Sequence, residues 1–275
     1  MRKGIMRLLS RRAAVRCGLI LTVAGWLLWP AAVIAQSAGS TQDFVKILKQ
    51  ADALVTFPDS DFSALYTFVQ ENPGQGTSTK QAMVFRRDRD NTYLIVIVKP
   101  EEDKGKGYLK SGSNLWFYDP VSRRFTFTSA KDRFQNMNAR NSDFTRSNLA
   151  GDYKVVDSVR QKLGRFDCWL LDLEARTDDI GSPRMKIWIS DDGLVRKTED
   201  YSFSGQHLRT TAFPSYQQVG SRFVPQTVVI LDELRGAMIN GTFVKERTTY
   251  TISRPSLQGL PDATFTKAWL ENLSG

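Results

Sequence analysis

The chain has 275 residues, with 38 basic and 29 acidic side chains, one histidine and two cysteines, for a formal net charge of +9. Six of the basic residues and none of the acidic ones lie in residues 1–35, so residues 36–275 carry only +3. That charge, with no basic face interleaved with stacking aromatics, argues against a nucleic-acid partner, and one histidine excludes a His-rich metal site.

Residues 1–35 read as an export signal. Arg2, Lys3, Arg7, Arg11, Arg12 and Arg16 form a basic head, and Gly18 to Ala35 is uncharged. Val33-Ile34-Ala35 suits a signal peptidase, so cleavage is expected before Gln36. The competing reading is an uncleaved anchor, because this run nearly reaches the ~20 residues that span a bilayer. Cys17 follows Arg16 and lacks the setting of a lipid-attachment cysteine. Both readings export the body, 36–275, whose length suits one large all-β domain or two at most.

Ser40 and Thr41 are candidate N-caps for a helix to about Val55, with Phe44, Leu48, Ala51 and Leu54 on its apolar side. From Asp61 the period becomes two. Phe62, Ala64, Tyr66 and Phe68 alternate with Ser63, Leu65, Thr67 and Val69. Asn72–Gly76 is a loop, and Met83 and Phe85 share a phase. Tyr93–Val98 is a continuous apolar run, as in a strand covered on both faces. The charged stretch Glu101–Lys106 reads as a solvated loop, with docking to a membrane partner as the competing reading. Leu115-Trp116-Phe117-Tyr118-Asp119-Pro120 and Arg124–Thr128 form an aromatic hairpin about an Asp-Pro turn. Ala130–Leu149 has no clean period; a short helix over 131–136 is the only element it suggests. Long irregular connections of this kind are usually functional or mobile. Strands are predicted again at 153–160, 166–175, 185–190, 194–203, 207–215, 217–219, 227–233 and 237–252, and a short helix at 261–273 carries Phe265, Ala268, Trp269 and Leu273.

Little here supports catalysis. His207 is the one base for a Ser/His or Cys/His pair, and it sits in a turn-like Ser204-Gly205-Gln206-His207. Glu101/Glu102, Asp178/Asp179 and Asp191/Asp192 also fall in turns, where solvation explains them. Cys168 lies in a strand-like run and reads as a small buried residue. No catalytic residue, cofactor site or metal site is expected. The aromatic surplus points instead to an apolar hollow between a sheet and its helices, able to bury acyl chains at ~0.8 kcal/mol per methylene. Its candidate lining is Phe62, Tyr66, Phe68, Met83, Phe85, Trp116, Tyr118, Phe125, Phe127, Trp169 and Trp188.

The ordered set Asp61–Thr67, Phe85-Arg86-Arg87-Asp88, Lys99-Pro100, Gly107-Tyr108-Leu109-Lys110, Leu115–Pro120 and Asn141-Ser142-Asp143-Phe144-Thr145 resembles the outer-membrane lipoprotein-sorting proteins, the LolA-like family, in a larger form. The resemblance implies a mostly antiparallel α+β fold. Its core would be an unclosed, curved barrel of about eleven strands with helices over the concave face. It also implies a periplasmic, monomeric carrier of lipid or lipoprotein acyl chains without catalytic residues, with an ABC- or RND-type exporter as membrane partner. In that frame Asp143 and Phe144 belong to the cavity mouth or lid, against the plain reading of a surface loop. Two other classes stay open: an exporter adaptor that carries nothing, and an exported hydrolase built on His207 or on a carboxylate pair.

Overall fold

The computed structural model describes residues 41–273. The export signal, its cleavage point and Ser40 lie outside the described residues. One helix, α1 (Thr41–Val55), precedes six strands: β1 (Phe62–Asn72), β2 (Gly76–Arg87), β3 (Thr92–Lys99), β4 (Gly107–Ser111), β5 (Asn114–Asp119) and β6 (Arg124–Phe127). An irregular strap and the one-turn α2 (Leu149–Asp152) follow. Then come β7 (Tyr153–Leu163), β8 (Phe166–Ala175), β9 (Arg184–Ser190), β10 (Val195–Tyr201), β11 (His207–Val219), β12 (Arg222–Ile239), β13 (Thr242–Ser256) and α3 (Lys267–Leu273).

All thirteen strands form one antiparallel sheet, ordered β6-β5-β4-β3-β2-β1-β13-β12-β11-β10-β9-β8-β7. The sheet is curved and unclosed, and β6 and β7 are its two edges. Every neighbour is a hairpin partner except one pair: β1 meets β13, with Phe68 opposite Tyr250. The strand count exceeds the eleven of the resemblance. The Asn240-Gly241 turn splits the predicted strand 237–252 into the end of β12 and the start of β13. Both turn residues have positive φ, 49° and 79°, the requirement of a tight hairpin turn that Asn-Gly meets.

The sheet buries apolar side chains on both faces. Phe62, Ala64, Tyr66 and Phe68 of β1 point to the inner face with Ala82, Val84, Ile95, Tyr108, Val228, Ile230 and Tyr250. Further along the same face α1 lays Phe44, Leu48 and Ala51 on Leu171, Leu173, Ile187 and Ile189. The outer face of β2–β6 carries Met83, Phe85, Leu94, Val96, Leu109, Trp116, Tyr118 and Phe125, and α3 covers it with Trp269 and Leu270. Thus α1 belongs to the inner face and α3 to the outer one. The close fit of α3 needs Gly107, where a Cβ would meet Leu270 Cδ1 at 2.5 Å.

A buried ionic knot fixes the segment before α3. Arg87 donates through Nε and Nη2 to Asp61, both at 2.9 Å, and through Nη2 to the Leu260 carbonyl at 2.6 Å. The Leu260 amide donates to Asp61 at 2.7 Å. The Arg87 hydrogen bonds above all, then the Leu260 amide, hold the Asp61 carboxyl at about 2, against the opposing pull of burial. A lowered carboxylate pKa stabilises the fold fully above the unfolded value near 4 and is lost as pH falls through about 2. Asp61→Asn is therefore expected to lose roughly 3 kcal/mol at pH 6. The gap to the parent should close towards pH 2. Urea midpoints across pH measure this, and a gap that stays constant with pH would refute it.

Candidate functional site

The last strand of the first hairpin run, β6, lies on one edge of the sheet, and β7, next in the chain, lies on the other. Their connection, the strap of residues 128–152, therefore has to cross from edge to edge. It crosses over the inner face. Phe134, Met137 and Phe144 are 0%, 2% and 1% exposed and join the inner-face cluster. The Phe144 ring lies 4.7 Å from Phe134 and 6.0 Å from both Tyr66 and Phe68, and Phe134 lies 4.9 Å from Tyr108. The hollow expected at the centre of the inner face is thus filled by the chain's own strap.

Before α2 the strap has only single turns of 3-10 helix, at Phe134–Asn136 and Asn141–Phe144. The helix suggested over 131–136 is this short because Gln135 and Asn136 take positive φ, 50° and 61°. Side chains and strand atoms hold the strap instead. The Asn138 amide donates to Thr248 Oγ1 at 2.9 Å, and Tyr93 donates its hydroxyl proton to the Asn141 carbonyl at 3.0 Å. Arg133 pairs with Glu246 at 2.9 Å. Asp52 of α1 accepts from the Leu149 and Ala150 amides at 2.8 and 2.9 Å and from Ser147 Oγ at 2.6 Å.

The strongest tie is ionic. Arg209 of β11 donates through Nη1 to Asp143 at 2.8 and 3.1 Å and through Nε to Asp200 of β10 at 2.8 Å. Asp143 Oδ2 also accepts from the Arg140 amide at 2.8 Å. Burial disfavours the Arg209 charge, but Asp143 and Asp200 outweigh it and raise its pKa further. Burial and the nearby Arg209 charge push Arg140 the other way. The seam is imperfectly matched. Asn138 Nδ2 and Asn141 Oδ1 on the strap, with Asp200 Oδ1 and Thr211 Oγ1 on the sheet, have no hydrogen-bond partner among the described residues. A buried unpaired polar atom costs about 1–3 kcal/mol, so the strap is held less firmly than its burial alone implies.

The eleven lining candidates do not share one face. Phe62, Tyr66 and Phe68 lie on the inner face, and Trp169 meets Phe44 of α1 edge-on at 5.2 Å. Met83, Phe85, Trp116, Tyr118 and Phe125 are on the outer face beneath or beside α3. Phe127 is 74% exposed. Trp188 lies on the face opposite Ile187 and Ile189, donating to Gln161 at 2.8 Å beneath the Lys197 ammonium. The correction follows from a period of two: Met83 and Phe85 alternate with the inward Ala82 and Val84. Bulk identified buried residues without saying which side they face. Phe134, Met137 and Arg209 escaped the sequence reading, because the strap has no period and the Arg209–Asp200 pair exists only through strand register.

Two open hollows lie elsewhere. One of about 210 Å³ sits between Asp52, Thr56, Ser147 and Arg222. Another of about 430 Å³ lies among Asp172, Glu174, Arg184, Lys186 and Tyr201. His207 stacks on Tyr201 at 4.8 Å, with Nε2 3.1 Å from Thr210 Oγ1, and Cys168 is buried. Among the described residues no helix is long and apolar enough to cross a membrane, and no group of three or more His, Cys, Asp or Glu is placed to hold a metal.

A family model described as "Uncharacterized protein" matches residues 89–272, more than half of the chain. A search of curated proteins finds no match. Among solved structures, a LolA superfamily protein from Nitrosomonas europaea has 22% identity and a TM-score of 0.69, covering 84% of this chain and 100% of that one. A domain described as an outer membrane lipoprotein-sorting protein, from Vibrio parahaemolyticus, has 19% identity and a TM-score of 0.73, with coverage of 84% and 100%. A DUF1329 family protein from Desulfovibrio piger has 16% identity and a TM-score of 0.73, with coverage of 84% and 98%. At these identities the likeness is one of fold.

Proposed function

Because the chain belongs to the family whose model spans residues 89–272 and has a LolA-like fold, we propose that it is an exported carrier of lipid or lipoprotein acyl chains, with residues 36–275 as the carrier domain. The observation that carries this reading is the strap. Three large apolar side chains, Phe134, Met137 and Phe144, fill the concave face from a segment held only in single 3-10 turns. An acyl chain presents the same surface to Tyr66, Phe68 and Tyr250, and each buried methylene contributes ~0.8 kcal/mol. Cargo would displace the strap, and the tethers at Asp143, Asn138 and Asn141 would re-form when cargo leaves. No covalent step is involved. The periplasm is the compartment of this reading, with an ABC- or RND-type exporter as the membrane partner and a monomer as the working form.

The test is direct. Residues 36–275 are purified, and bound lipid is sought by mass spectrometry. Hydrogen exchange is then followed with a long-chain acyl probe. Saturable binding with faster exchange confined to residues 133–146 is expected. No bound lipid, no probe binding and an unchanged strap would sink the carrier. That outcome would favour the second reading, a non-carrying exporter adaptor, which the filled inner face supports.

A further inference from the structure

The two longest strands of the sheet run past their neighbours. Pairing of β12 with β11 ends at Asp232 opposite Arg209, and pairing of β13 with β1 ends at Arg247 opposite Glu71. Beyond these points residues 233–246 form a two-stranded ribbon with no third strand hydrogen-bonded to it among the described residues. A bulge sits at its base, where the Leu234 and Arg235 amides both donate to Asp232 at 3.0 Å. Gly236, Ala237, Met238 and Ile239 then pair with Lys245, Val244, Phe243 and Thr242.

The ribbon is apolar on both sides. Met238 and Phe243 face each other across one side, 64% and 46% exposed. Ile239 and Val244 occupy the other side, and Leu234 projects at the bulge, all three exposed. The same end of the sheet holds the β10–β11 turn beside the ribbon's base, and this turn exposes Phe203. Exposed apolar clusters of this kind mark contact sites. A flat protein surface covers one side of a ribbon and leaves the other wet. A medium that admits the tip covers both. Arg235, exposed at the base, has no carboxylate within ion-pairing distance among the described residues, whereas Lys245 is paired with Glu233. A free guanidinium behind an apolar tip matches the phosphate layer above a hydrocarbon layer.

We propose that the ribbon tip, Met238 to Phe243 with Leu234 and Val244 behind it, inserts into the surface of an anionic phospholipid membrane, with Arg235 at headgroup level. This goes beyond cargo binding and holds for the empty protein. The experiment is flotation of residues 36–275, which contain the whole described body, with vesicles of phosphatidylcholine and phosphatidylglycerol in equal parts, and with phosphatidylcholine alone. The protein is expected to float with the mixed vesicles. Met238→Ser with Phe243→Ser should weaken binding about tenfold or more, since both side chains lose their apolar burial. Arg235→Gln should weaken binding only to the anionic vesicles. Emission of a Phe243→Trp variant should shift to the blue on adding vesicles.

Both serine substitutions are at exposed positions, so folding is unaffected and circular dichroism should match the parent. A parent that does not float would overturn the proposal, as would a double variant that floats equally well. So would sedimentation showing a dimer that the double variant dissolves, which would make a second copy the occupant. No acyl probe is added, so the carrier reading fails or stands separately. A protein that floats yet takes up no lipid keeps the ribbon's role and loses the cargo.

Discussion

Phe144→Ala is expected to lower unfolding stability by about 3–5 kcal/mol, the usual cost of emptying a buried aromatic site, and at the same time to raise affinity for an acyl probe. The two effects have one origin. The ring is almost fully buried against Tyr66, Phe68 and Phe134, so its removal leaves an apolar void under the strap. Voids of that lining stay dry and accept apolar guests. Phe62→Ala is the control. Phe62 is equally buried on the inner face but stacks on Phe57 at 5.3 Å. It should lose similar stability without gaining uptake. Urea midpoints and probe titration read both quantities. Equal gains from the two variants would place the guest somewhere other than beneath the strap.

Arg209→Met is expected to cost about as much, roughly 3–5 kcal/mol at neutral pH, because it strands the buried Asp200 carboxylate and the half-buried Asp143 carboxylate. Asp143 and Asp200 would then lack their shared cation. Urea midpoints should show the deficit, and hydrogen exchange over 140–146 should quicken. Asp143→Asn is milder, about 1–2 kcal/mol, since Arg209 keeps Asp200. Arg140 is the compensator to watch. Burial and the neighbouring Arg209 charge lower its pKa, so removing Arg209 relieves Arg140 and softens the loss. Replacing both arginines should then cost more than the sum of the single losses. Strict additivity would mean that Arg140 does not compensate for the loss of Arg209.

Much of the fold was legible because a strand advertises its inward face every second residue. Phe62, Ala64, Tyr66 and Phe68 needed nothing more. The same rule fails where both faces are covered. Trp116 and Tyr118 alternate with Leu115 and Phe117, and all four are apolar, so only the later arrival of α3 decides which pair lies outside. Asn240-Gly241 was a readable hairpin turn inside a long alternating run, and the alternation masked it. The strap could not be read as a core element at all. Its burial follows from the edge-to-edge path between β6 and β7, which is a property of the completed sheet and leaves no mark on residues 128–152. The Arg209 tie is hidden for the same reason, since its partners lie 66 and 9 residues away.

The pairing of β1 with β13 has a kinetic consequence. It joins Gln70 to Thr248, 178 positions apart, at the middle of the sheet. Local hairpins can zip early on either side, but this seam must wait for nearly the whole chain. High contact order of this sort slows folding, and until the seam closes β1 keeps an open edge available to other chains. A permuted chain that begins at the β6–β7 connection and links the present ends would make β13 and β1 sequence neighbours. It should refold faster than the parent and aggregate less while doing so.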